Sequence, residues 1–376
     1  MNKICSLFIF LLVSSYSFAQ TSPKESKPDS LFDKSTKTLV AVPIISNSPA
    51  MKTGFGAMGM LFFRPMKKDT LSPPSLVRVA GLYSTNKSYY FFPMTKLFWG
   101  DNRHRATLVI GTIRINNDFL YNQDVEDLHL VFSELRYFIS AEYSRRIINN
   151  FYLGMLYLGT QTLYKFDQGT DAENEFTEDF FKQNDIGDNF VSSIGLNLSY
   201  DSRDYPYYPT KGLVASIRPK MNATWLGSDN NYVDTDFMFK YYTNLNSQKI
   251  FALALNGGFA AGDVPFDGYQ NYGVRNSLRG YTTGKYKGKN MVAAQVEYRW
   301  NFYKRWGAVA FAGSGSVWGT EEMEDGEKVF ERHWLPSIGS GIRFTISKAK
   351  KVNLRLDFAW GVDGNQGLYF GVMEAF

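Results

Sequence analysis

The chain has 376 residues, and its 41 lysines and arginines nearly cancel its 36 aspartates and glutamates, leaving a formal net charge of +5. A balance this close to neutral predicts no nucleic-acid partner. Aromatic residues make up 16% of the chain, although its mean hydropathy is only −0.27. No stretch beyond the N-terminal segment is long and apolar enough to predict a membrane-spanning helix. Composition therefore excludes a helical membrane protein and favours a β-structure.

Residues 1–19 have the pattern of a cleaved secretory signal peptide. Lys3 precedes a short apolar run, and a small-x-small sequence ending at Ala19 supplies the cleavage site. The single cysteine, Cys5, lies in this segment, so the predicted mature chain contains no disulfide. Residues 20–37 are polar and contain prolines, which predicts a short disordered tail in the periplasm.

Segments of alternating polarity follow one another along the rest of the chain. Within 352–361, apolar side chains alternate with asparagine, arginine and aspartate, which gives one apolar face and one charged face. Large aromatic residues near segment ends, such as Trp300 and Trp360, favour an outer-membrane barrel with an interfacial girdle over a soluble sandwich. Sixteen such segments predict strands at 38–46, 54–65, 75–85, 87–98, 104–114, 135–146, 150–164, 190–202, 211–223, 232–245, 248–260, 290–302, 306–318, 335–347, 351–362 and 367–376.

The connections between these segments become alternately short and long. The long ones cover 115–134, 165–189, 261–289 and 319–334, and short turns lie between them. Short periplasmic turns and long extracellular loops are typical of outer-membrane barrels. We therefore predict an all-β fold, in which residues 38–376 form a 16-stranded antiparallel transmembrane β-barrel in the lipid bilayer of the outer membrane. The loops 165–189 and 319–334 are acidic, and we interpret them as solvated loops in preference to sites that bridge divalent cations to surface glycolipid.

Two further segments resemble signatures of the BamA/TamA-type bacterial surface antigen superfamily. One is Asn-Ser-Leu-Arg-Gly-Tyr at 276–281, inside the only long loop that is basic. The other is an Asp-x-Arg followed by Pro-x-x-Gly, formed by Asp201, Arg203, Pro209 and Gly212. The barrels of this superfamily insert or translocate polypeptides, and some branches handle lipid. The resemblance is strongest from about residue 197 to the C-terminus.

The resemblance implies that the loop 261–289 folds back into the lumen and docks there through Arg279, Gly280 and Tyr281. An arginine keeps its charge, so inside a narrowed lumen it requires a carboxylate. Glu297 is the predicted partner, because it lies on the lumen face by parity and occupies the position that accepts this arginine in the family. We call these four residues the latch. Many family members supply a second acid from the following strand, but the matching position here is Gly313. The latch is then either weaker or uses another carboxylate.

Two other motifs have structural interpretations. We predict that Asp201, Arg203, Pro209 and Gly212 form a fold-closing turn rather than a binding site, with Asp201 and Arg203 paired locally. At the C-terminus, Gly371 and Phe376 resemble the signal that the barrel-assembly machinery reads in a last strand.

The resemblance also limits the functional prediction. BamA-type and TamA-type proteins carry POTRA domains before the barrel, whereas residues 20–37 are too few for one such domain. We therefore expect a barrel-only relative that assists insertion or translocation of polypeptide or lipid with a separate periplasmic or lipoprotein partner, through a seam between its first and last strands. A passive porin-like or structural barrel is the main alternative.

A phospholipase-type enzyme is the remaining alternative. The three histidines, His104, His129 and His333, have no nucleophile or metal-ligand neighbour at a useful spacing. We therefore predict a protein that is not an enzyme, with no catalytic residue, metal or cofactor.

Overall fold

The computed structural model describes residues 37–48, 51–120, 129–183, 186–273, 278–281, 285–320, 331–332, 334–348 and 350–376. Within these residues, sixteen long antiparallel strands close into a single barrel, which confirms the predicted fold class. The strands are β1 Thr38–Ser48, β2 Lys52–Phe63, β3 Ser75–Ser84, β4 Tyr89–Trp99, β5 His104–Leu120, β6 His129–Ile148, β7 Phe151–Lys165, β8 Asn189–Asp201, β9 Gly212–Asn222, β10 Tyr232–Asn246, β11 Lys249–Gly262, β12 Asn290–Tyr303, β13 Trp306–Trp318, β14 Ser337–Ser347, β15 Val352–Trp360 and β16 Gln366–Val372. The predicted signal peptide, and the predicted tail up to residue 36, lie outside the described residues.

Other regular elements are few in this part of the chain. One α-helix, α1, covers Asp171–Gln183, and 3-10 turns cover Thr224–Leu226 and Phe266–Gly268. A two-residue ladder joins Gln270–Asn271 to Lys287–Gly288 within the long loop after β11. Among the described residues, no helix has the length and apolar character needed to cross a membrane.

Side chains alternate between the lipid face and the lumen, as the sequence pattern predicts. On β12, Val296 and Trp300 point outward with 38% and 44% of their surface exposed. The residues that alternate with them, Gln295, Glu297 and Arg299, are buried. This period of two is what places a row of polar side chains inside the barrel.

The junction of the first and last strands is the shortest in the barrel wall. β1 pairs with β2 along its whole length, from Thr38 with Phe62 to Ser48 with Lys52. Its other neighbour, β16, has one aligned pair with it among the described residues, between Asn47 and Leu368. We call this β1–β16 junction the seam.

The hairpin of β5 and β6 is longer than predicted. The predicted long loop 115–134 is largely paired strand, with Ile115 opposite Glu134 and Asn117 opposite Phe132. The reason is packing, because Phe132 is buried against Phe181 of α1, with ring centroids 4.9 Å apart.

Helix α1 lies in the loop 165–189, for which only an irregular loop was predicted. Its start is capped reciprocally: the Thr170 backbone amide donates to Glu173 at 2.8 Å, and the Glu173 amide donates to the Thr170 hydroxyl at 3.4 Å. Phe180 and Phe181 on one helix face complete the contact with β6. The acidic residues therefore occupy the solvent side of an amphipathic helix.

Candidate functional site in the lumen

The long loop after β11 enters the barrel and places Arg279 against its inner wall. The Arg279 guanidinium donates to Glu297 on β12 at 2.6 Å and to Asp357 on β15 at 2.7 Å. It also donates to the Gln295 side chain at 2.7 Å and lies 3.4 Å from the ring centroid of Phe311. The fork geometry of arginine is what allows one side chain to reach acceptors on two strands. The structure thus brings Arg279 and its predicted partner Glu297 together.

The two carboxylates of this site have no exposed surface, and Arg279 is 5% exposed. Charge pairs in such surroundings interact more strongly than on a protein surface, because less water screens them. Both acids also serve other arginines. Arg299 donates to Glu297 at 2.7 Å, and Arg343 donates to Asp357 at 2.5 Å.

The second acid of the latch comes from β15 rather than from β13. A side chain at Gly313, the position of the family aspartate, has no room: its Cβ would lie 2.3 Å from the Ala294 carbonyl oxygen and 2.5 Å from the Leu278 side chain. Leu278, next to Arg279, fills that space and is buried. The sequence left open whether the latch is weaker or uses another carboxylate. The structure shows the second arrangement, in which Arg279 binds Asp357.

Gly280 and Tyr281 hold the loop next to Arg279. Gly280 has a φ of 108°, and an added Cβ would lie 3.0 Å from the Trp360 backbone, so glycine is required there. Its amide donates to the Tyr369 hydroxyl at 2.8 Å. The Tyr281 hydroxyl donates to the Pro336 carbonyl, and its ring packs edge-on against Tyr272.

The predicted turn motif closes the end of the barrel opposite to the one that the long loop enters. Arg203 donates twice to Asp201, at 2.8 and 2.9 Å, and Arg105 on β5 donates to the same carboxylate at 2.8 Å. Gly212 has a φ of 97° where the turn joins β9. The carbonyl of Pro209 accepts a weak hydrogen bond from Arg299 at 3.5 Å. The local pair that the sequence suggested is thus present.

Three tyrosines of this turn are buried within the barrel mouth. Tyr205, Tyr207 and Tyr208 pack with apolar residues of the first strands: Val40, Val42, Met60, Phe62, Leu76 and Phe98. The Tyr207 hydroxyl donates to the Pro74 carbonyl at 2.8 Å, and its ring lies edge-on to Phe62 at 5.5 Å. Burial, with a smaller contribution from Tyr205, raises the pKa of Tyr207 well above its usual value, so its hydroxyl stays protonated. Residues 202–211 therefore form a second inward-folded segment.

The C-terminal residues form a third inward-folded segment. The prediction of a strand to residue 376 is wrong for the last four residues, because β16 ends at Val372 and Met373 takes a φ of 68°. Glu374 then turns into the lumen, where Arg343 donates to it at 2.7 Å. Phe376 packs on Tyr242 and two alanines of β11 instead of facing lipid.

Arg299 connects all three segments and was not singled out from the sequence. It contacts Glu297 of the latch, the Pro209 carbonyl of the turn and, at 2.5 Å, the Phe376 carbonyl. Glu374 offers the signal that could have revealed this arrangement, since it interrupts an otherwise apolar face in the last predicted strand.

The described histidines contact neighbouring strands. His104 Nδ1 lies 2.8 Å from the Tyr143 hydroxyl, and its ring stacks on Trp99. His129 Nδ1 lies 2.6 Å from Asp118. His333 lies outside the described residues. Across the described ranges, no three His, Cys, Asp or Glu side chains are grouped so that they could hold a metal ion.

A sixteen-stranded barrel with an apolar outer face and its own loop bound inside the lumen is an outer-membrane β-barrel. The Omp85 superfamily domain matches residues 77–376, and the chain belongs to this superfamily. This confirms the resemblance inferred from the two motifs. No curated protein matches the chain.

Solved structures share the fold at low sequence identity. BamA from Haemophilus ducreyi lacking POTRA domains 1–3 is 15% identical with a TM-score of 0.54, and the match covers 90% of this chain and 69% of that one. CdiB from Acinetobacter baumannii is 12% identical (TM-score 0.56), and CdiB from Escherichia coli is 10% identical (TM-score 0.59). Both matches cover 90% of this chain, but only 59% and 62% of the CdiB chains. The chain thus spans less than two thirds of either CdiB protein.

Proposed function

We propose that this barrel assists the insertion or translocation of polypeptide, or of lipid, at the outer membrane, together with a separate periplasmic or lipoprotein partner. Membership of the Omp85 superfamily supports this function. The observation that carries it is the seam, where, in the part of the chain that the structure describes, β1 and β16 share one aligned pair, between Asn47 and Leu368. Few hydrogen bonds have to break for the wall to open there, and the freed strand edges can pair with an incoming strand.

The latch has a role in this proposal. Arg279 binds Glu297 on β12, the strand into which the loop leads. It also binds Asp357 on β15, which is the neighbour of β16 at the seam. We assign to it the function of holding the loop inside the lumen, so that the barrel stays closed to solutes while the seam opens sideways.

A passive porin-like pore is less consistent with these contacts. The loop, the 202–211 turn and the C-terminal residues all place buried side chains inside the barrel, among them Arg279, Tyr207 and Phe376. Filled in this way, the lumen is unsuited to a wide, permanently open channel. We likewise propose no catalytic role for the protein.

A disulfide across the seam tests the proposal. The double substitution Asn47→Cys with Leu368→Cys places two cysteines at the aligned pair. The protein would be reconstituted in liposomes, and the folding of an added unfolded outer-membrane polypeptide would be measured. We expect the oxidised variant to fall to the level of empty liposomes and to recover when it is reduced.

The matched control locks the same strand on its other side. Ile45→Cys with Phe55→Cys joins β1 to β2, which the proposal does not require to separate. This variant should retain wild-type activity in both redox states. Wild-type insertion by the oxidised seam variant would refute the opening of the seam.

A further inference from the structure

The lipid-facing surface of the barrel contains a groove that crosses strands β4 to β8. Its volume is about 600 Å³, and most of the side chains that line it are apolar. The space exists because two small residues lie opposite large ones, Ala106 opposite Tyr143 and Ala141 opposite Leu108. Tyr143, Leu108 and Met155 border the groove and are well exposed on the outer face. The groove is therefore open to lipid along its length.

Three stacked rings lie at one end of this groove. The hydroxyl of Tyr143, which borders the groove, lies 2.8 Å from His104 Nδ1. The His104 ring stacks on Tyr143 and on Trp99, with ring centroids 6.1 Å and 5.3 Å apart. Tryptophan and tyrosine are enriched at the level of lipid headgroups, where both an apolar ring and a polar group are accommodated. The stack therefore marks the headgroup level on this side of the barrel.

Two arginines lie just beyond the stack. Arg145 follows Tyr143 by two residues on β6 and lies opposite His104 in the β5–β6 register. It therefore continues the outer face by about 7 Å toward the short turns. Arg103 precedes His104, and its carbonyl accepts from the Arg146 amide at 2.7 Å. Arg103 and Arg145 are exposed, and within the described residues neither forms a salt bridge with a carboxylate.

The groove and the arginines together fit one kind of ligand. An acyl chain gains little when it leaves the bilayer for a protein surface that is equally apolar, so the groove alone would not select a lipid. Guanidinium groups at the headgroup level add selectivity, because they bind phosphate through parallel charged hydrogen bonds. We propose that the groove holds an acyl chain of an anionic phospholipid whose phosphate is bound by Arg145 and Arg103.

A second set of cations at the same end of the barrel provides a comparison. Lys249 on β11 lies 5.9 Å from the ring centroid of Trp300, its partner on β12. Lys304, in the short turn after β12, lies 4.9 Å from the ring centroid of Tyr303. These lysines match the two arginines in charge and in depth, but they lie away from the groove. A general attraction of anionic lipid to the barrel would involve both sets, whereas the proposed site involves the arginines alone.

Native mass spectrometry tests the proposal, because it resolves each bound lipid. The purified protein in detergent would be titrated with phosphatidylglycerol and, separately, with phosphatidylcholine that carries the same acyl chains. We expect one phosphatidylglycerol to bind about tenfold more tightly than phosphatidylcholine, the usual effect of one charged hydrogen bond. The double substitution Arg103→Gln with Arg145→Gln should abolish this preference. The matched double substitution Lys249→Gln with Lys304→Gln should retain it.

A further variant tests the groove independently of the charges. Ala141→Leu adds its larger side chain to the groove from the lipid-facing side, where the fold should tolerate it. We expect phosphatidylglycerol affinity to fall about tenfold, a typical effect of overfilling a packed space. Circular dichroism would show that each variant remains folded.

The site requires both parts, so each can refute it. Equal binding of the two lipids by the wild type would overturn the proposal, as would an unchanged preference in the arginine variant or an unchanged affinity in Ala141→Leu. Loss of the preference in the lysine variant would show a general charge attraction instead. A lipid-free dimer that Ala141→Leu dissociates would show that a second copy of the chain occupies the groove. The inference does not depend on the proposed function, because β4 to β8 lie away from the seam.

Discussion

The latch and the 202–211 turn use the same chemistry at different depths of the barrel. In both, one carboxylate accepts from more than one arginine: Glu297 from Arg279 and Arg299, and Asp201 from Arg203 and Arg105. The surroundings differ. The Glu297 side chain has no exposed surface, whereas the Asp201 side chain is 6% exposed and the arginines that bind it are 18% and 15% exposed.

This difference should decide how much each carboxylate contributes. An arginine left without its acid keeps its charge, and the resulting cost rises as water is excluded. At Asp201, water can replace part of the lost interaction, because the arginines reach the surface of the lumen. At Glu297, water cannot do so. Burial, rather than the number of ion pairs, therefore separates a site that holds a loop from one that shapes a turn.

The largest effect is expected from Glu297→Gln. This change keeps the shape of the side chain but removes the charge that Arg279 and Arg299 share. We expect the free energy of unfolding to fall by about 3–5 kcal/mol, the usual cost of breaking a buried ion pair from one side. Denaturant unfolding in detergent measures it. Chymotrypsin, which cleaves after tyrosine, should also cut the loop near Tyr281 and Tyr286 faster than in the wild type.

Glu178→Gln is the control for this change. Glu178 pairs with Lys182 at 2.9 Å, but both side chains are well exposed, so the expected loss is within about 1 kcal/mol. A Glu297→Gln protein whose loop resists chymotrypsin as well as the wild type would disprove the pairing of Arg279 with Glu297 as the contact that holds the loop.

Asp201→Asn should have a smaller effect. The same isosteric exchange leaves Arg203 and Arg105 without their acid, but both can turn toward lumenal water. We expect a loss of about 2 kcal/mol, typical of a hydrogen bond to a charged group. The loop at Tyr281 should stay protected from chymotrypsin. A loss equal to that of Glu297→Gln would show that burial does not separate the two sites.

Strand number and facing were predictable because alternation is a local signal. The lumen position of Glu297 followed from parity alone, and so did that of Asp357. Glu297 was predicted as a partner of Arg279 from the family resemblance, but the second acid, Asp357, was not predictable, since its position depends on how far each strand is shifted against the next. Here the shift places Glu297 and Asp357 at the same depth as a loop residue distant from Asp357 in sequence.

Two errors had different causes. Helix α1 was missed although its signals are local, namely the Thr170-x-x-Glu173 capping sequence and the phenylalanines that follow it. The inward turn after Val372 has no comparable local signal. It depends on Arg343 and Arg299, which donate hydrogen bonds to Glu374 and to the Phe376 carbonyl from across the lumen.

The smallest effect should come from Tyr207→Phe. The substitution keeps the ring contact with Phe62 and removes one hydrogen bond to the Pro74 carbonyl, which is worth about 1 kcal/mol near neutral pH. Tyr241→Phe, on the exposed outer face, should change nothing. The effect of Tyr207 should also depend on pH. Burial raises the pKa of its folded-state hydroxyl, while the unfolded chain ionises near its usual value of about 10.

Tyr207 therefore stabilises the fold fully below about pH 10, and this contribution is lost as the pH rises toward the folded-state pKa. In denaturant unfolding across this range, the wild type should lose its advantage over Tyr207→Phe and then become the less stable of the two. A constant difference at every pH would mean that the hydroxyl is accessible to water. In that case the turn would not close the mouth of the barrel, and the contrast between a buried latch and a shallower turn would rest on charge alone.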